Sequence, residues 1–306
     1  MNILVTGGAG YVGTKLVKEL TAIKEVNKVV VYDNLSRGNY NLFLGEPIVH
    51  GEKIEFIQGD ILDSRLLHKT LDGIDFVYHL AAKVTTPFAN TDPHFYEQIN
   101  HWGTAELVYA IEKNPVKKLF HLSSTSVYGS SDQLVNETSN LNPRTFYGVS
   151  KMRAEKHVQR LVDQDRAIII RSGNVYGYSK SMRFDAVINK FAFETNFHKK
   201  ITIQGSGKQN RAFIHVNDLV HDLGLLLTNN VAADVYNLVS KNLSILELVD
   251  VFKEIKPDLE FLFIDQHLDL RNIKVNTDLK LAQYLALAES KALKEEMKLF
   301  LETFSY

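Results

Sequence analysis

The fold follows from one stretch near the N-terminus, Thr6-Gly7-Gly8-Ala9-Gly10-Tyr11-Val12-Gly13. The stretch comes directly after the apolar run Ile3-Leu4-Val5 and opens an amphipathic segment. A strand, a glycine turn and a helix in this order are typical of a dinucleotide-binding unit. Gly7 permits the tight turn, Gly10 lets the backbone approach a pyrophosphate, and Gly13 lets the helix pack closely on the sheet. The N-terminus of that helix would face the negative charge of the phosphates.

Further apolar runs extend this unit into a sheet. Short Val/Ile/Leu-rich runs recur at residues 29–32, 54–57, 76–80, 119–122 and 167–170, and helical patterns lie between them, for instance at 93–113 and 147–162. Near-continuous apolar strands that alternate with helices predict a parallel sheet covered on both faces. We therefore predict an α/β fold, with a doubly wound parallel sheet (a Rossmann domain) over residues 1–174. Residues 175–306 lose the alternation and are predicted to form a smaller, mixed α/β substrate lobe.

Composition excludes several classes of protein. The chain has 306 residues, with 35 Lys+Arg against 36 Asp+Glu, and this net charge of -1 argues against a nucleic-acid binder. It has no cysteine, which excludes disulfides, thiolate metal sites and cysteine nucleophiles, and its eleven histidines show no zinc spacing. We therefore predict no bound metal. No apolar run approaches the ~20 residues that span a bilayer, and the first strand starts at once, so we expect a soluble cytoplasmic protein without a membrane partner.

Two carboxylates follow predicted strands. Asp33 ends the second strand, and a carboxylate there accepts hydrogen bonds from the adenosine ribose and repels a 2′-phosphate, which favours NAD over NADP. The pair Asp33-Asn34 is also compatible with an ordinary turn. Asp60 and Ile61 follow the third strand and fit a position beside the adenine, although a plain loop explains them as well.

A catalytic pattern comes next along the chain. The run Ser123-Ser124-Thr125-Ser126-Val127-Tyr128-Gly129 ends the fifth strand, and Tyr147-Gly148-Val149-Ser150-Lys151 opens a helix. A Tyr and a Lys four residues apart share one helix face. A nearby ammonium stabilises a phenolate and lowers the pKa of the tyrosine, which makes it a usable general base near neutral pH. The hydroxyl of Ser124 can bridge the phenol and a substrate oxygen.

Together these motifs resemble the extended short-chain dehydrogenase/reductases, in their nucleotide-sugar epimerase/dehydratase branch, and the chain is similar to UDP-glucose 4-epimerases. The resemblance covers nearly the whole chain. Besides the runs above, it includes residues 32–38, 59–61, 79–82, 100–104, 171–177 and 211–218. It implies NAD in the first domain, a nucleotide-diphosphate sugar in the second, and segments near 214–228 that return to the first domain. It also implies a role in polysaccharide biosynthesis.

The resemblance assigns roles residue by residue. The catalytic residues would be Ser124, Tyr147 and Lys151. The cofactor would be bound by Gly7, Gly10, Tyr11, Val12, Gly13, Asp33, Asn34, Asp60, Ile61, Leu80, Ala81, Ala82, Lys83 and Asn100, together with Tyr147 and Lys151. The substrate would be bound by Ser124, Thr125, Asn174, Arg183, Arg211 and Arg271. We expect His79, His121 and His215, which lie on predicted strands, to be packed structural residues.

The resemblance also bears on the reaction. The 4,6-dehydratases of this branch carry Thr-Asp-Glu where this chain has Ser124-Thr125-Ser126, so a standard dehydration is not expected. Our leading hypothesis is an NAD-dependent 4-epimerase that acts through a transient 4-keto sugar. A 4-dehydrogenase or 4-ketoreductase with the same residues stays open, as does a non-catalytic NAD-binding regulatory protein. Family members commonly pair two helices per subunit, here residues 93–113 and 147–162, which predicts a homodimer.

Overall fold

The computed structural model describes residues 1–84, 92–266 and 270–305. In these residues the strands are β1 (Asn2–Thr6), β2 (Lys28–Asp33), β3 (Ile54–Gln58), β4 (Phe76–His79), β5 (Lys118–Ser124), β6 (Leu134–Val135), β7 (Ala167–Ser172), β8 (Asn174–Tyr176), β9 (Lys200–Gln204), β10 (Asn210–His215), β11 (Val235–Leu238), β12 (Lys241–Ser244), β13 (Glu260–Ile264) and β14 (Lys274–Val275). The helices are α1 (Tyr11–Ala22), α2 (Ser64–Thr70), α3 (Pro93–Tyr96), α4 (Gly103–Glu112), α5 (Phe146–Val162), α6 (Val187–Phe197), α7 (Val216–Thr228), α8 (Ile245–Ile255) and α9 (Leu293–Leu301).

Seven strands form the central sheet, in the order β11-β7-β5-β4-β1-β2-β3. Every neighbouring pair in this sheet is parallel. The register pairs Ile3 with both Val29 and Phe76, so the apolar runs read from the sequence lie side by side. The predicted parallel sheet is confirmed. Its last strand, β11, comes from the second half of the chain and was not among the predicted strands.

Helices cover both faces of this sheet. Side chains of β1 alternate between the faces: Ile3 and Val5 pack with α1 and α7, whereas Leu4 packs with α2, α4 and α5. This alternation is what a strand buried on both sides requires, since successive side chains point to opposite faces. The doubly wound fold class is therefore confirmed.

The second half also contributes to the first layer of helices. Helix α7 packs against α1, and Leu219 and Leu223 of α7 share a core with Leu16 of α1. Together with β11 at the sheet edge, this contact supports the proposal that part of the second half returns to the first domain. We keep residue 174 as the proposed end of the continuous part of the first domain.

The smaller lobe is of mixed α/β type. It contains a three-stranded sheet of the order β12-β10-β8, in which β10 is antiparallel to β12 and parallel to β8, and a parallel pair of β9 and β13. Helices α6, α8 and α9 enclose a separate core with β9, built around Phe191, Phe252 and Phe300. The lobe therefore has a hydrophobic core separate from those on the two faces of the main sheet.

The predicted helix at 93–113 is interrupted. A π-helical turn, Glu97–Trp102, separates α3 from α4 and brings the buried Asn100 into the middle of the break. Such wider turns are found frequently at functional sites. In the described part of the chain, no helix is long and apolar enough to cross a bilayer.

Candidate active site

A cleft of about 1110 Å³ opens where the carboxyl ends of β1, β2, β4 and β5 face the smaller lobe. Ligands of open parallel sheets bind outside the carboxyl ends of the strands, where the strand order reverses. Pockets for one drug-sized ligand measure about 300–1,000 Å³, so this cleft has room for more than one. Both halves of the chain line it.

The glycine loop forms the floor of the cleft at one end. Gly7 has a φ of +72°, and a Cβ atom there would lie 2.6 Å from the backbone nitrogen of Ala81. A Cβ atom on Gly13 would lie 2.4 Å from the carbonyl oxygen of Gly7. Neither position accepts a side chain, so the turn stays tight and the N-terminus of α1 stays open to the cleft, which is the cradle that a pyrophosphate requires. Gly10, Tyr11 and Val12 line the cleft beside it.

Two carboxylates stand at the ends of β2 and β3. Asp33 accepts hydrogen bonds from the backbone nitrogens of Ala9, at 3.0 Å, and Leu35, at 2.9 Å. Asp60 accepts from the backbone nitrogen of Leu62 and from the amide of Asn34, both at 2.9 Å. A carboxylate offers about four acceptor positions, so these bonds fix the groups and leave lone pairs for ribose hydroxyls.

The segment after β4 forms the wall next to the glycine loop. Leu80, Ala81, Ala82 and Lys83 line the cleft, and so does Ile61. Asn100 does not line it. Its side chain is buried behind the wall, where Oδ1 accepts from the backbone nitrogen of Lys83 at 2.7 Å and Nδ2 donates to the Lys83 carbonyl at 2.9 Å. Asn100 therefore reaches the cleft only through the segment that it holds.

Tyr147 lies in the first turn of α5. The helix begins there because the hydroxyl of Thr145 accepts a hydrogen bond from the backbone nitrogen of Gly148 at 3.1 Å. Burial raises the pKa of Tyr147 above its usual value, and the nearby Ser124 hydroxyl and the positive charges of Arg183 and Arg271 oppose this rise without reversing it. The structure thus places the predicted serine near the tyrosine, and Oγ of Ser124 donates to the hydroxyl of Ser126 at 3.1 Å. Thr125 is buried and does not line the cleft, but Ser126 does.

Lys151 lies one turn further along α5. Its side chain is only 3% exposed, and Nζ donates to the carbonyl oxygen of Leu122 at 2.6 Å. Burial lowers the pKa of Lys151 to about 8, against the opposite effect of the Glu155 charge. The sequence suggested that Lys151 would supply the charge that lowers the pKa of Tyr147. In the structure the charges that lower the pKa of Tyr147 are those of Arg183 and Arg271. Lys151, with a pKa of about 8, still carries its positive charge at neutral pH, and its effect on Tyr147 stays a prediction.

Cationic groups line the substrate end. Arg183 forms an ion pair with Asp185 and donates to the carbonyl oxygen of Val84 at 3.0 Å, so its charge is compensated. Arg211 and Arg271 form no ion pair with any carboxylate in the described part of the chain. Asn174 lies beside them and donates to the carbonyl oxygen of Ala212 at 2.9 Å.

The two uncompensated guanidiniums act on each other. Burial and the charge of Arg271 lower the pKa of Arg211 to about 9, and burial lowers the pKa of Arg271 to about 10. A buried charge without a partner costs free energy that a counter-ion offsets. Two guanidiniums side by side match the oxygens of a phosphate chain. This end of the cleft is therefore built for a polyanion.

The comparisons with known proteins agree with this geometry. The model of the NAD dependent epimerase/dehydratase family matches residues 3–238. The chain belongs to this family. It is 32% identical over 271 residues to the dTDP-D-glucose 4,6-dehydratase of Mus musculus, an alignment that covers 84% of this chain and 75% of the mouse protein.

Two solved structures are similar over almost their whole length. One is UDP-glucuronic acid 4-epimerase from Bacillus cereus in complex with UDP-glucuronic acid and NAD, with 26% identity, a TM-score of 0.86, and coverage of 99% of this chain and 98% of that one. The other is UDP-glucose 4-epimerase from Thermotoga maritima with UDP-glucose, with 26% identity, a TM-score of 0.85 and the same coverage. The cofactor of this epimerase/dehydratase chain is NAD, and the glycine cradle and Asp33 fit it.

A buried ion pair and its hydrogen bonds hold β5, β7 and α5 together next to the cleft. Glu155 of α5 pairs with Arg171 of β7 at 2.8 Å, with both side chains less than a tenth exposed. Ser123 donates to Glu155 at 2.5 Å, and Arg171 donates to the hydroxyl of Tyr128 at 3.0 Å. Because every one of these groups has a partner, the network ties the end of β5 to the helix that carries Tyr147.

Sequence reasoning missed several residues of the cleft. These are polar or aromatic groups of the smaller lobe and of the turns beside β5: Ser126, Thr145, Asp185, Lys190, Gln204 and Gln209. The ion pair between Arg183 and Asp185 had a local signal, since two opposite charges two residues apart flank one exposed turn. Ser126 and Thr145 are sequence neighbours of Ser124 and Tyr147, whereas Lys190, Gln204 and Gln209 had no signal, because only the tertiary fold brings the smaller lobe to the cleft.

Proposed function

We propose that the protein is an NAD-dependent nucleotide-diphosphate-sugar 4-epimerase that acts through a transient 4-keto sugar. One observation carries the proposal. Ser124, Tyr147 and Lys151 lie where the cofactor end of the cleft meets the cationic end, with the glycine loop on one side and Arg211 on the other. A sugar whose diphosphate is held by the arginines would present its ring to the tyrosine.

Substrate binding begins with the phosphates. Arg211 and Arg271 would hold the diphosphate, and its negative charge would restore the full protonation of both guanidiniums at high pH. The amide of Asn174 lies beside them and supplies a hydrogen-bonding group without charge. Because Arg183 is compensated by Asp185, it would orient the wall near Val84 and act on Tyr147 through its charge only.

Proton transfer is assigned to Tyr147. When the O–H bond at the sugar 4-position breaks, the phenolate oxygen takes the proton, and the hydroxyl of Ser124 stays hydrogen-bonded to the sugar oxygen. NAD supplies the redox chemistry, since it accepts the C4 hydride and returns it. For epimerisation the 4-keto sugar must rotate in the site, so that the hydride would return to C4 from the opposite face of the ring while Tyr147 returns the proton to the sugar O4. Lys151, buried and bonded to Leu122, would place its ammonium beside the cofactor ribose.

Two features favour this reaction over dehydration. Water elimination needs an acid and a base, which the related 4,6-dehydratases carry as Asp-Glu in the turn after β5. Thr125 and Ser126 stand there, and neither side chain ionises in the range that this chemistry uses. At these two positions the chain therefore lacks the acid and the base that the resemblance assigns to dehydratases.

Asn41 and Lys180 form a clasp between the two halves of the chain, and Asn41 lies two residues beyond Asn39, which lines the cleft. Asn41 donates to the carbonyl oxygen of Lys180 at 2.7 Å, and Nζ of Lys180 donates to the carbonyl oxygens of Leu44 at 2.8 Å and Glu46 at 3.2 Å. A 4-epimerase reoxidises its cofactor in place and has no need to release it, whereas a dehydrogenase exchanges it in every cycle. The clasp supports slow exchange.

The experiment separates the possible functions by their redox balance. Ligands that co-purify are identified by mass spectrometry, and a panel of UDP-, GDP-, dTDP- and CDP-sugars is then followed by NADH absorbance and by NMR of the products. Interconversion of two 4-epimers without net NADH supports the proposal. Net NADH formation indicates a 4-dehydrogenase, and NADH consumption with a 4-keto sugar a ketoreductase. A 4-keto-6-deoxy product contradicts the proposal, and NAD binding without turnover leaves a regulatory protein.

We further propose a homodimer that pairs the π-helical turn, α4 and α5 with their copies. Trp102 is 52% exposed on this face, next to His101 and His157, and the ring of Tyr109 stacks there under Arg160. So much aromatic surface is unusual on a helix that faces solvent. Light scattering at micromolar concentration should give twice the mass of the chain, and a monomer would contradict the pairing.

A further inference from the structure

His79 stands at the carboxyl end of β4, immediately before the segment that forms the cofactor wall, and is 1% exposed. Both ring nitrogens are engaged: Nδ1 lies 2.7 Å from the hydroxyl of Thr6 on β1, and Nε2 lies 2.9 Å from the hydroxyl of Thr104 on α4. Thr6 and Thr104 are buried as well. One imidazole thus joins the strand before the glycine loop to the helix on the other side of the site.

The carbonyl oxygen of Asn100, at one end of this series of hydrogen bonds, fixes the direction of each of the others. Thr104 donates its only hydroxyl proton to the carbonyl oxygen of Asn100 at 2.6 Å, since a carbonyl can only accept. Thr104 must therefore accept from Nε2–H of His79. In a neutral imidazole the other nitrogen is then an acceptor, so Thr6 donates to Nδ1. The hydroxyl oxygen of Thr6 in turn accepts from the backbone nitrogen of Ala81, at 3.4 Å.

Burial keeps this arrangement in one state. It lowers the pKa of His79 to about 3, with a smaller effect from the charge of Lys151. The ring is therefore neutral throughout the range in which the protein works, and a single tautomer satisfies both threonines. A buried polar chain with every partner present defines one geometry, because any displacement leaves a donor or an acceptor unsatisfied.

The series of hydrogen bonds continues from Thr104 through Asn100 to the cofactor wall and to the first turn of α5. Asn100, in the π-helical turn, holds the backbone of Lys83, and its Nδ2 also donates to the hydroxyl of Ser150 at 3.0 Å. Ser150 donates to the carbonyl oxygen of Tyr147 at 2.9 Å. One end is thus the cofactor wall from Leu80 to Lys83, and the other is the first turn of α5.

The wall has little freedom of its own. A Cβ atom on Gly7 would lie 2.6 Å from the backbone nitrogen of Ala81 and 2.8 Å from the carbonyl carbon of Leu80, so the wall already touches the glycine loop. A shift of the wall is therefore transmitted either to the loop or through Asn100 to α5. Hydride and proton transfer need the reacting atoms within a few tenths of an ångström of their productive positions, and about 1 Å of displacement costs on the order of 10²-fold in rate.

We propose that His79 is a positioning residue that, through its fixed pair of threonines and Asn100, sets the distance between the cofactor wall and Tyr147. It touches neither cofactor nor substrate and transfers no proton. This role deepens the packed, structural one that the sequence suggested. It also presupposes the proposed chemistry of Tyr147, so its test needs one readout that does not depend on turnover.

The chain offers a matched control in His121. This residue lies opposite His79 on the adjacent strand β5, with the ring centroids 5.2 Å apart, and it is equally buried. Neither of its ring nitrogens has a hydrogen-bond partner among the residues that the structure describes. His79→Phe and His121→Phe therefore make the same change in size and polarity at the same depth. Only His79→Phe breaks the series of hydrogen bonds from Thr6 through His79 to Thr104.

The first readout is steady-state kinetics on the accepted sugar nucleotide. His79→Phe should lower kcat by about 10- to 100-fold and leave KM within about twofold, because substrate is bound by the arginines of the other lobe. His121→Phe should change neither by more than about twofold. Thr104→Val, which removes one hydroxyl at almost constant volume, should repeat the loss in kcat, and Thr104→Ser should restore most of it. Equal losses in both histidine variants, or no rescue by serine, would overturn the proposal.

The second readout is hydrogen–deuterium exchange. In His79→Phe and Thr104→Val the amides of residues 80–84 and 147–151 should exchange faster, while the rest of the sheet keeps its protection; in His121→Phe and Thr104→Ser they should not. This pattern is expected even if no sugar nucleotide is turned over, in which case only the proposed function fails. Unchanged exchange at both segments would contradict the positioning role itself. If His79→Phe does not fold, the threonine pair still decides between the outcomes.

Discussion

The two ends of the cleft treat their polar groups in opposite ways. At the cofactor end Asp33, Asp60 and Asn100 are held by backbone nitrogens or neighbouring side chains of the protein. At the other end Arg211 and Arg271 carry half-buried charges with no carboxylate partner in the described residues. The polar groups of the cofactor end have their hydrogen-bond partners within the folded protein, whereas an anionic ligand would compensate the cations of the other end.

The difference has an energetic meaning. A buried polar group with its partners costs little and fixes geometry, but a buried charge without a partner destabilises the fold. The cofactor end can therefore be stable and preorganised, while the cationic end would store unfavourable free energy that the proposed binding of a diphosphate would release. Substitutions at the two ends should then change stability with opposite signs, although both weaken function.

The largest effect is expected where the two ends meet, at Tyr147. Tyr147→Phe removes the group that takes the sugar proton and leaves both binding surfaces in place. Turnover should fall about 10²- to 10⁴-fold, the usual contribution of general acid–base catalysis, with the Kd for NAD and for the sugar nucleotide changed by less than about threefold. Turnover assays and calorimetric titration measure the two quantities. Full activity in this variant would mean that the proton leaves by another route.

Arg211→Met tests the uncompensated end. Loss of charge-assisted hydrogen bonds worth about 1.5–3 kcal/mol should weaken sugar-nucleotide binding by about 10- to 100-fold, with NAD binding unchanged. Because the variant also removes a half-buried positive charge next to Arg271, its Tm without ligand should rise by about 2–4 °C. Arg65→Met, on an exposed arginine, should change neither quantity. A fall in Tm of Arg211→Met would show that the charge is satisfied by the protein.

Asp33→Ala tests the satisfied end and should show the opposite sign in stability. It leaves the backbone nitrogens of Ala9 and Leu35 without an acceptor, which should lower the free energy of unfolding by about 1–3 kcal/mol. NAD binding should weaken as well, and the preference for NAD over NADP should shrink because the repulsion of a 2′-phosphate is lost. Denaturant unfolding and titration with both cofactors provide the measurements. Equal stability of the variant and the parent would remove the contrast between the two ends.

The sequence predicted the locally encoded parts of the site better than the parts that depend on the tertiary fold. The glycine loop, Asp33, and the positions of Ser124, Tyr147 and Lys151 follow from local patterns, because the ends of successive parallel strands meet at one edge and need no long-range information. The surroundings of Arg211 depend on which strands of the smaller lobe face the cleft. The buried positions of Asn100 and Thr125, neither of which lines the cleft, depend on a π-helical turn and a short 3₁₀ turn. Neither turn has a distinctive pattern in the residues.

The smallest predicted effect concerns an unsatisfied charge that does not line the cleft. Asp218, in the first turn of α7, has a buried Oδ2 with no hydrogen-bond partner in the described residues. Burial, together with the negative charge of Glu296, raises the pKa of Asp218 from 3.8 to about 6, although Lys241 opposes the shift. Like Arg211, it is a charge that the fold does not compensate, but no ligand is expected to reach it.

Asp218→Asn should therefore stabilise the protein without any loss of function. The pKa of Asp218 is higher in the folded than in the unfolded protein, so ionisation of this carboxyl group lowers the free energy of unfolding as the pH rises from about 4 to about 6. Above a pH of about 6 this loss is complete. At pH 7.5 the Tm of the variant should be about 1–2 °C above that of the parent, a gain of less than about 1 kcal/mol because the group is partly exposed. At pH 4 the two Tm values should be equal. Thermal unfolding at both values measures this, with Asp72→Asn, on an exposed aspartate, as the unchanged control. Turnover and NAD affinity should equal those of the parent. That result would distinguish the charge of Asp218, which serves no ligand, from the charge of Arg211, which is expected to bind one. A gain in Tm at pH 4 as large as at pH 7.5 would refute the assignment.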